Sequence, residues 1–280
     1  MSQQYSELFC QSNYSFLEGA SHAEELVLQA DVLRYKALAV TDECSVAGIV
    51  KVHSAIKQHK LSLKQIVGSM FWLNEECQVI LICPNREAYA ELCRIITNAR
   101  RRSSKGHYQL SEWDIMSAKH CFIVWLPQQK NEDAHWGQWL SQHHSGRLWI
   151  GLQRHLKQTD QQYIDYCVEM SHHHQLPITA CGGVLMHNAN RLPLQHSLTA
   201  IKYQKPITEV GSHLLANAER CLRSINKLSH IFKTEWLEES NRISELCEFE
   251  LDSLRYEYPS ELIPQGETPM SYLRMLVEKG

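Results

Sequence analysis

The chain has no pair of cysteines at CxxC spacing, although ten cysteines are scattered along its 280 residues. Single thiols of this kind argue against a disulfide framework or a cysteine-built zinc site, and read as small buried hydrophobes of a reduced, cytosolic protein. No apolar run reaches the roughly 18 residues of a membrane span. The opening residues, MSQQYSELFC, lack the basic-then-apolar order of a secretory leader. GxSxG, a Walker-type loop and HExxH are all missing, which removes the common signatures of serine hydrolases, P-loop NTPases and zincins. An excess of one charge is missing too: 28 Lys and Arg stand against 31 Asp and Glu, for a net charge of −3 and a pI near 6.6. Bulk electrostatics therefore does not mark a nucleic-acid binder, which leaves room only for a local patch.

What is present is an alternation. Strand-like apolar runs stand at 37–42 (ALAVTD), 64–73, 77–84, 121–127, 147–153 and 177–187. Between them lie helical patterns at 22–35, 47–59, 86–101 and 160–175. Ser21 is placed to cap the first helix, with Glu24 three residues later completing a capping box. About seven strand–helix units in roughly 200 residues suit a closed α/β barrel better than an open half-sheet. After about residue 190 the pattern is helical only, including 217–232 (NAERCLRSINKLSHIF) and 235–249. Pro259, Pro264 and Pro269 then interrupt the chain before a helix that starts near Met270. The pattern is still helical at Gly280, which reads as the N-terminal piece of something longer.

The stretch ELFCQSNYSFLEGASHAEELV (7–27) packs a strand, a polar loop and a capped helix into a short span. Such a loop at a strand end is where an α/β enzyme holds its reacting groups, yet Phe9 and Gln11 occupy it. Asp42 is the one well-placed carboxylate, with Glu43 behind it; the pair could hold a cation weakly, short of the ligands a hydrolytic metal centre needs. His172, His173 and His174 are consecutive on a helix, about 100° apart, and read as a solvated helix end. His143 and His144 read as part of a polar loop, and His187 and His196 as a pair without further ligands. Arg100, Arg101, Arg102 and Lys105 form the basic cluster. It reads as a helix C-terminus that suits the macrodipole, with DNA or a neighbouring domain as the alternative contact.

Three segments carry a resemblance: the opening stretch, VTDECSVAGIVKVH, and PITACGGVLMHNANRLPLQHSLTAIK. Together they resemble the polymerase-and-histidinol-phosphatase (PHP) domain at the N-terminus of bacterial C-family DNA polymerases, closest to the error-prone branch. The resemblance implies a distorted seven-stranded, TIM-like (β/α) barrel of PHP type followed by a short helical segment. It implies a barrel domain over 1–215, a helical connector over 216–257 and the start of a polymerase module over 258–280. The family's metal ligands fall on Phe9, Gln11, Asp42, Glu43, Met70, Gly183 and Leu185, of which only Asp42 keeps the usual residue. Phe, Met, Gly and Leu supply no donor to a divalent ion in these roles. The implied site is therefore degenerate, with no catalytic residue, no metal and no cofactor in this chain. Phe9, Met70 and Leu185 are expected to approach one another and fill the vacated space.

By the same resemblance the parent protein is a cytoplasmic DNA-directed DNA polymerase, a nucleotidyltransferase of damage-induced translesion synthesis. Its magnesium would lie in a module beyond residue 280. Partners implied are the remaining polymerase domains, DNA through the full-length enzyme, and accessory proteins of the translesion machinery, with no membrane. This chain alone is expected to act as a scaffold. Two rival readings are an active metal-dependent phosphoesterase, re-formed from Asp42, Glu43, His187 and His22 or His53, and a DNA-binding module built on the basic cluster.

Overall fold

The computed structural model describes residues 4–254, 263–264 and 266–279, which fall into two units divided between Phe249 and Glu250. In the first unit the seven strands are β1 (Ser6–Cys10), β2 (Ala37–Val40), β3 (Lys64–Leu73), β4 (Cys77–Ile82), β5 (Phe122–Leu126), β6 (Leu148–Gln153) and β7 (Ile178–Cys181). They lie side by side in chain order. β1 to β3 are parallel, β4 runs antiparallel to both neighbours, and β5 to β7 are parallel again. Val184, just past β7, donates its N–H to the Phe9 carbonyl at 2.9 Å and accepts the Gln11 N–H at 2.8 Å. That pairing closes the sheet into a barrel.

The strand sequences explain the closure. β1, β2, β4 and β7 are buried at every residue, so they carry near-continuous rather than alternating hydrophobicity, as strands covered on both faces do. β3 and β4 form a hairpin whose turn residues Asn74 and Glu75 both adopt positive φ, 50° and 61°, and Glu76 N–H returns to the Leu73 carbonyl at 2.9 Å. The loop has three residues, and its two successive left-handed positions turn with the twist of the strands.

The helices are α1 (Ala23–Val32), α2 (Ile49–His59), α3 (Arg86–Arg101), α4 (Glu112–Met116), α5 (Glu132–His143), α6 (Asp160–His174), α7 (Leu192–Tyr203), α8 (Ile225–Ile231) and α9 (Thr234–Leu246). α9 forms a floor across the N-terminal end of the barrel. Ser240 Oγ accepts from Ser6 N–H, the Ser244 carbonyl accepts from Lys64 Nζ at 2.6 Å, Glu245 pairs with Lys36, and Glu239 accepts from Trp149 Nε1 at 2.6 Å. Ile243 and Cys247 enter the barrel's apolar core with Leu8, Ile66, Ile82 and Trp149.

The structure differs from the sequence reading in four places. The compact unit runs to Phe249, past the expected barrel boundary at 215, because α9 buries its apolar face on the barrel rather than linking it onward. Residues 214–224 are not helical; Cys221 pairs as a short bridge with Met186 instead. Helix α5, unassigned in the sequence reading, runs to His143, which was expected in a polar loop with His144, and carries Trp136 and Leu140 one turn apart on its buried face. The cap of α1 is His22, whose N–H is held by Glu25 at 2.9 Å, while the Ser21 hydroxyl bonds His187 at 2.8 Å.

The second unit contains α10 (Pro269–Lys279), entered through Thr268, whose Oγ1 accepts from Ser271 N–H at 3.1 Å. Its start agrees with the sequence reading. Pro259 and the rest of 258–262, where the expected polymerase segment begins, lie outside the described residues.

Candidate functional site at the barrel mouth

The strands end at a mouth opposite the α9 floor, where the residues singled out from the sequence, Phe9, Gln11, Asp42, Glu43, Met70, Gly183 and Leu185, are found. Phe9 is 1% exposed and Met70 is 3% exposed, and both belong to the apolar core that fills the barrel. Leu185 is buried but outside that core; its backbone accepts from Ala20 N–H at 2.7 Å and donates to the Arg220 carbonyl at 2.9 Å. The expected convergence therefore holds for Phe9 and Met70 as members of one core, while Leu185 packs apart. Gly183 adopts φ +57°, and a Cβ there would stand 2.2 Å from Gln153 Oε1. An aspartate at this position would need both a left-handed backbone and a displaced Gln153.

Asp42 is buried and fully engaged. Oδ1 accepts from Ser12 N–H at 2.8 Å, Ser15 N–H at 3.1 Å and Ser15 Oγ at 2.8 Å, and Oδ2 accepts from Ser12 Oγ at 2.7 Å. Burial nonetheless raises its pKa, and the serine bonds only partly offset this. The carboxylate thus organises the loop after β1. Gln11 donates to Ser15 Oγ at 3.2 Å. Glu43 accepts from the Tyr108 hydroxyl at 2.8 Å, and Tyr108 in turn accepts from Trp72 N–H at 2.9 Å.

The basic cluster divides. Arg100 donates to the Cys44 and Glu43 carbonyls and lies over the Tyr108 ring at 5.4 Å. Arg102 pairs with Asp114 through two bonds. Arg100 is half-buried against the fold, whereas Arg102 reaches its partner from an exposed position, and Arg101 and Lys105 are exposed as well. The histidines do not converge. His187 bonds Ser21, His196 bonds the Leu215 carbonyl at 3.1 Å, and His144 is buried beside Trp139. Among the described residues no three His, Cys, Asp or Glu side chains gather as a metal site. The donor set at the mouth does not fit the metal cluster that the family implies. Asp42 already accepts four bonds, and Phe9, Met70, Gly183 and Leu185 offer no side-chain donor for a hard or borderline divalent ion.

Two clefts open here, of about 870 Å³ and about 400 Å³. Sequence reasoning missed most of what lines them: Trp72, Gln78, Gln153, His155, Lys202 and Arg220. Arg220 Nε donates to the Gly183 carbonyl at 2.6 Å, and burial lowers the guanidinium pKa to about 10. His155 Nε2 bonds the Gly182 carbonyl at 2.9 Å. Burial first, then the Arg220 cation, pushes its pKa down to about 3, with Arg223 and Lys157 adding to the effect.

A pH dependence follows from that depression. The unfolded imidazole, near 6.5, binds more protons than the folded one at about 3. Its contribution to stability is therefore complete above pH 6.5 and is lost as pH falls toward 3. The loss from this group is at most about 1.4 kcal/mol per pH unit. His155→Gln is expected to flatten the acid limb of stability measured by urea unfolding from pH 7 to 4, relative to the parent chain. Parallel curves would show that His155 does not resist protonation.

The PHP domain profile matches residues 7–173, and the chain belongs to the PHP domain family. It is 66% identical over 276 residues to the error-prone DNA polymerase of Vibrio parahaemolyticus serotype O3:K6, covering 99% of this chain and 27% of that protein. It is 41% identical over 277 residues to the error-prone DNA polymerase of Pseudomonas aeruginosa, covering 99% and 26%. The chain thus spans about a quarter of these polymerases. Among solved structures it is similar to one described as a metal-dependent phosphoesterase from Bifidobacterium adolescentis. That likeness has a TM-score of 0.49 and 13% identity, over 65% of this chain and 88% of the other. No helix among the described residues is long and apolar enough to cross a membrane.

Proposed function

We propose that this chain is the N-terminal PHP domain of an error-prone DNA polymerase, and that the domain is a non-catalytic scaffold for the polymerase rather than a hydrolase. The observation that carries the reading is the filling of the barrel by Phe9 and Met70 at ligand positions. An apolar ring and a thioether at those positions supply no donors for a hydrated cluster of hard or borderline divalent ions. The saturation of Asp42 by Ser12 and Ser15 supports it, since a carboxylate that accepts four bonds serves the loop it holds. The role extends to damage-induced translesion synthesis in the cytoplasm, a compartment suited to ten free cysteines. Magnesium-dependent nucleotidyl transfer belongs to the remainder of the polymerase, and contacts with DNA and accessory proteins are made through the assembled enzyme.

The test uses the full-length polymerase carrying Asp42→Asn and Glu43→Gln together. Primer extension is expected to stay within about twofold of the parent, a difference of less than about 0.5 kcal/mol in the barrier. Elemental analysis of the 280-residue chain is expected to give far less than one manganese, iron or zinc per molecule. Two tightly held ions, or loss of an exonuclease activity in the doubly substituted enzyme at unchanged stability, would establish the phosphoesterase reading instead.

A further inference from the structure

Two stripes run along α3. At about 100° per residue, Glu91 and Arg102 fall within about 20° of each other, and so do Arg94 and Arg101, which stand about 10 Å apart along the axis. Residues 114–120 return along the first stripe: Asp114 holds Arg102 through two hydrogen bonds, and His120 bonds Glu91 at 2.7 Å. Trp113, next to Asp114, therefore stands at the Arg101 end, and Lys119, next to His120, stands near the turn that carries Arg94. The second stripe lies about 80° further round the helix and faces solvent. Arg94, Arg101, Lys105 and Lys119 are exposed and make no ion pair among the described residues, and Trp113 is 76% exposed with no ring contact among them. The exposed acids on these elements are Glu87 and Glu112; Glu91 and Asp114 are taken by His120 and Arg102. Between residues 94 and 120, six Lys and Arg stand against two acids, in a chain whose net charge is −3.

The helix dipole accounts for cations in the last turn of α3, but not for Arg94 in its middle, nor for Trp113 and Lys119 off the helix. Unpaired cations beside a solvent-facing indole are what a single nucleic-acid strand uses: the cations follow its phosphates and a base stacks on the ring. A duplex stacks its bases on one another and offers the indole no free face. An acidic peptide meets the cations and leaves the indole in water. We propose that α3 and the segment from Trp113 to Lys119 form a binding surface for single-stranded DNA. Arg94, Arg101, Lys105 and Lys119 take phosphates, and Trp113 takes one base. The choice of DNA over RNA rests on the polymerase reading above. The surface uses none of the residues at the ligand positions and needs no metal. It gives the PHP domain a hold on a DNA strand that does not pass through the remainder of the polymerase.

Fluorescence anisotropy on the 280-residue chain tests this, with EDTA present throughout. The probe is a fluorescein-labelled oligothymidylate of about 20 nucleotides in about 50 mM NaCl. It is expected to bind, more weakly as salt is raised, and to be displaced far less well by a duplex of equal length or by polyglutamate. Arg94→Gln with Arg101→Gln is expected to weaken binding at least about tenfold and to lower the log–log salt slope by about 1.4, the share of two phosphates on a single strand. Trp113→Ala is expected to weaken binding about fivefold or more, and Trp113→Phe, which keeps a stacking face, by less than about twofold. All these side chains are exposed, so thermal melts of the variants are expected to match the parent. No binding in EDTA, duplex or polyglutamate competing as well as the single strand, tighter binding of oligouridylate, or unchanged affinity in either the double arginine variant or Trp113→Ala would each overturn the proposal. None of these results reads metal content or hydrolysis, so a failure here is distinct from a failure of the scaffold reading.

Discussion

Phe9→Ala is expected to lower the unfolding free energy by about 3–5 kcal/mol, the cost of deleting a buried Phe from a core that cannot fully collapse. The ring is 1% exposed and packs among side chains from several strands, including Ala39, Met70 and Val124. Those neighbours are fixed by sheet hydrogen bonds, so little relaxation is available. Phe9→His is expected to destabilise as well, since an imidazole placed in an apolar core leaves its nitrogens without partners. One added histidine does not create a metal site. Urea unfolding of the three proteins, read by tryptophan fluorescence, gives the values. A loss below about 1 kcal/mol for Phe9→Ala would mean that the ring lies at a tolerant surface and the barrel is not filled by it.

Gly19→Ala is expected to cost about 2–4 kcal/mol, combining overpacking with the loosening of a buried carboxylate. A Cβ at residue 19 would stand 2.0 Å from the Ser12 carbonyl oxygen and 2.4 Å from its carbon. Neither is the end of a flexible side chain, so the loop itself must move. Ser12 gives Asp42 two of its four hydrogen bonds, and displacing it leaves a buried carboxylate short of donors. The two sources separate in a double-mutant cycle. If the loss runs through the carboxylate, Gly19→Ala costs clearly less in an Asp42→Asn background. Equal costs in both backgrounds would assign the whole effect to the clash.

The strands were legible because their chemistry is one-sided in the sequence. ALAV is apolar at every position and CQVILI at every position but Gln78, and only a sheet covered on both faces buries them so completely. The barrel followed from their order, and the family from the resemblance carried by three segments. The apolar character of Phe9 and Met70 was legible as residue type, and both sit in the core as their side chains require. Helix α5 was hidden because its sequence is polar apart from a narrow apolar stripe through Trp136 and Leu140. The stretch 217–232 read as helix from its spacing, but its first part, through residue 224, is not helical, and Cys221 is held by a bridge to Met186, a tertiary pairing that periodicity does not report. Arg220 lies in that same stretch, so its arrival at the mouth was invisible. The role of α9 was hidden likewise: its amphipathic pattern shows that a face is buried, not that the floor of a barrel buries it.

The seam that joins the two ends of the barrel bears on how the chain is made. Glu7 accepts a hydrogen bond from Gly182 N–H, a partner 175 residues later in the chain. The floor helix adds Ser240 and Asn241, which bond Ser6 across 234 and 235 residues. At about 5–20 residues per second of synthesis, the first strand waits on the order of 10–35 s before its seam partner exists. Through that interval β1, apolar at most positions, has β2 on one side and an open edge on the other. Such an edge invites pairing with another nascent chain. The buried Glu7, second residue of that strand, suits the role of a gatekeeper during the wait: a carboxylate is tolerated in the finished seam, where Tyr5, Phe9 and Gly182 donate to it, and it discourages any edge partner that lacks those donors.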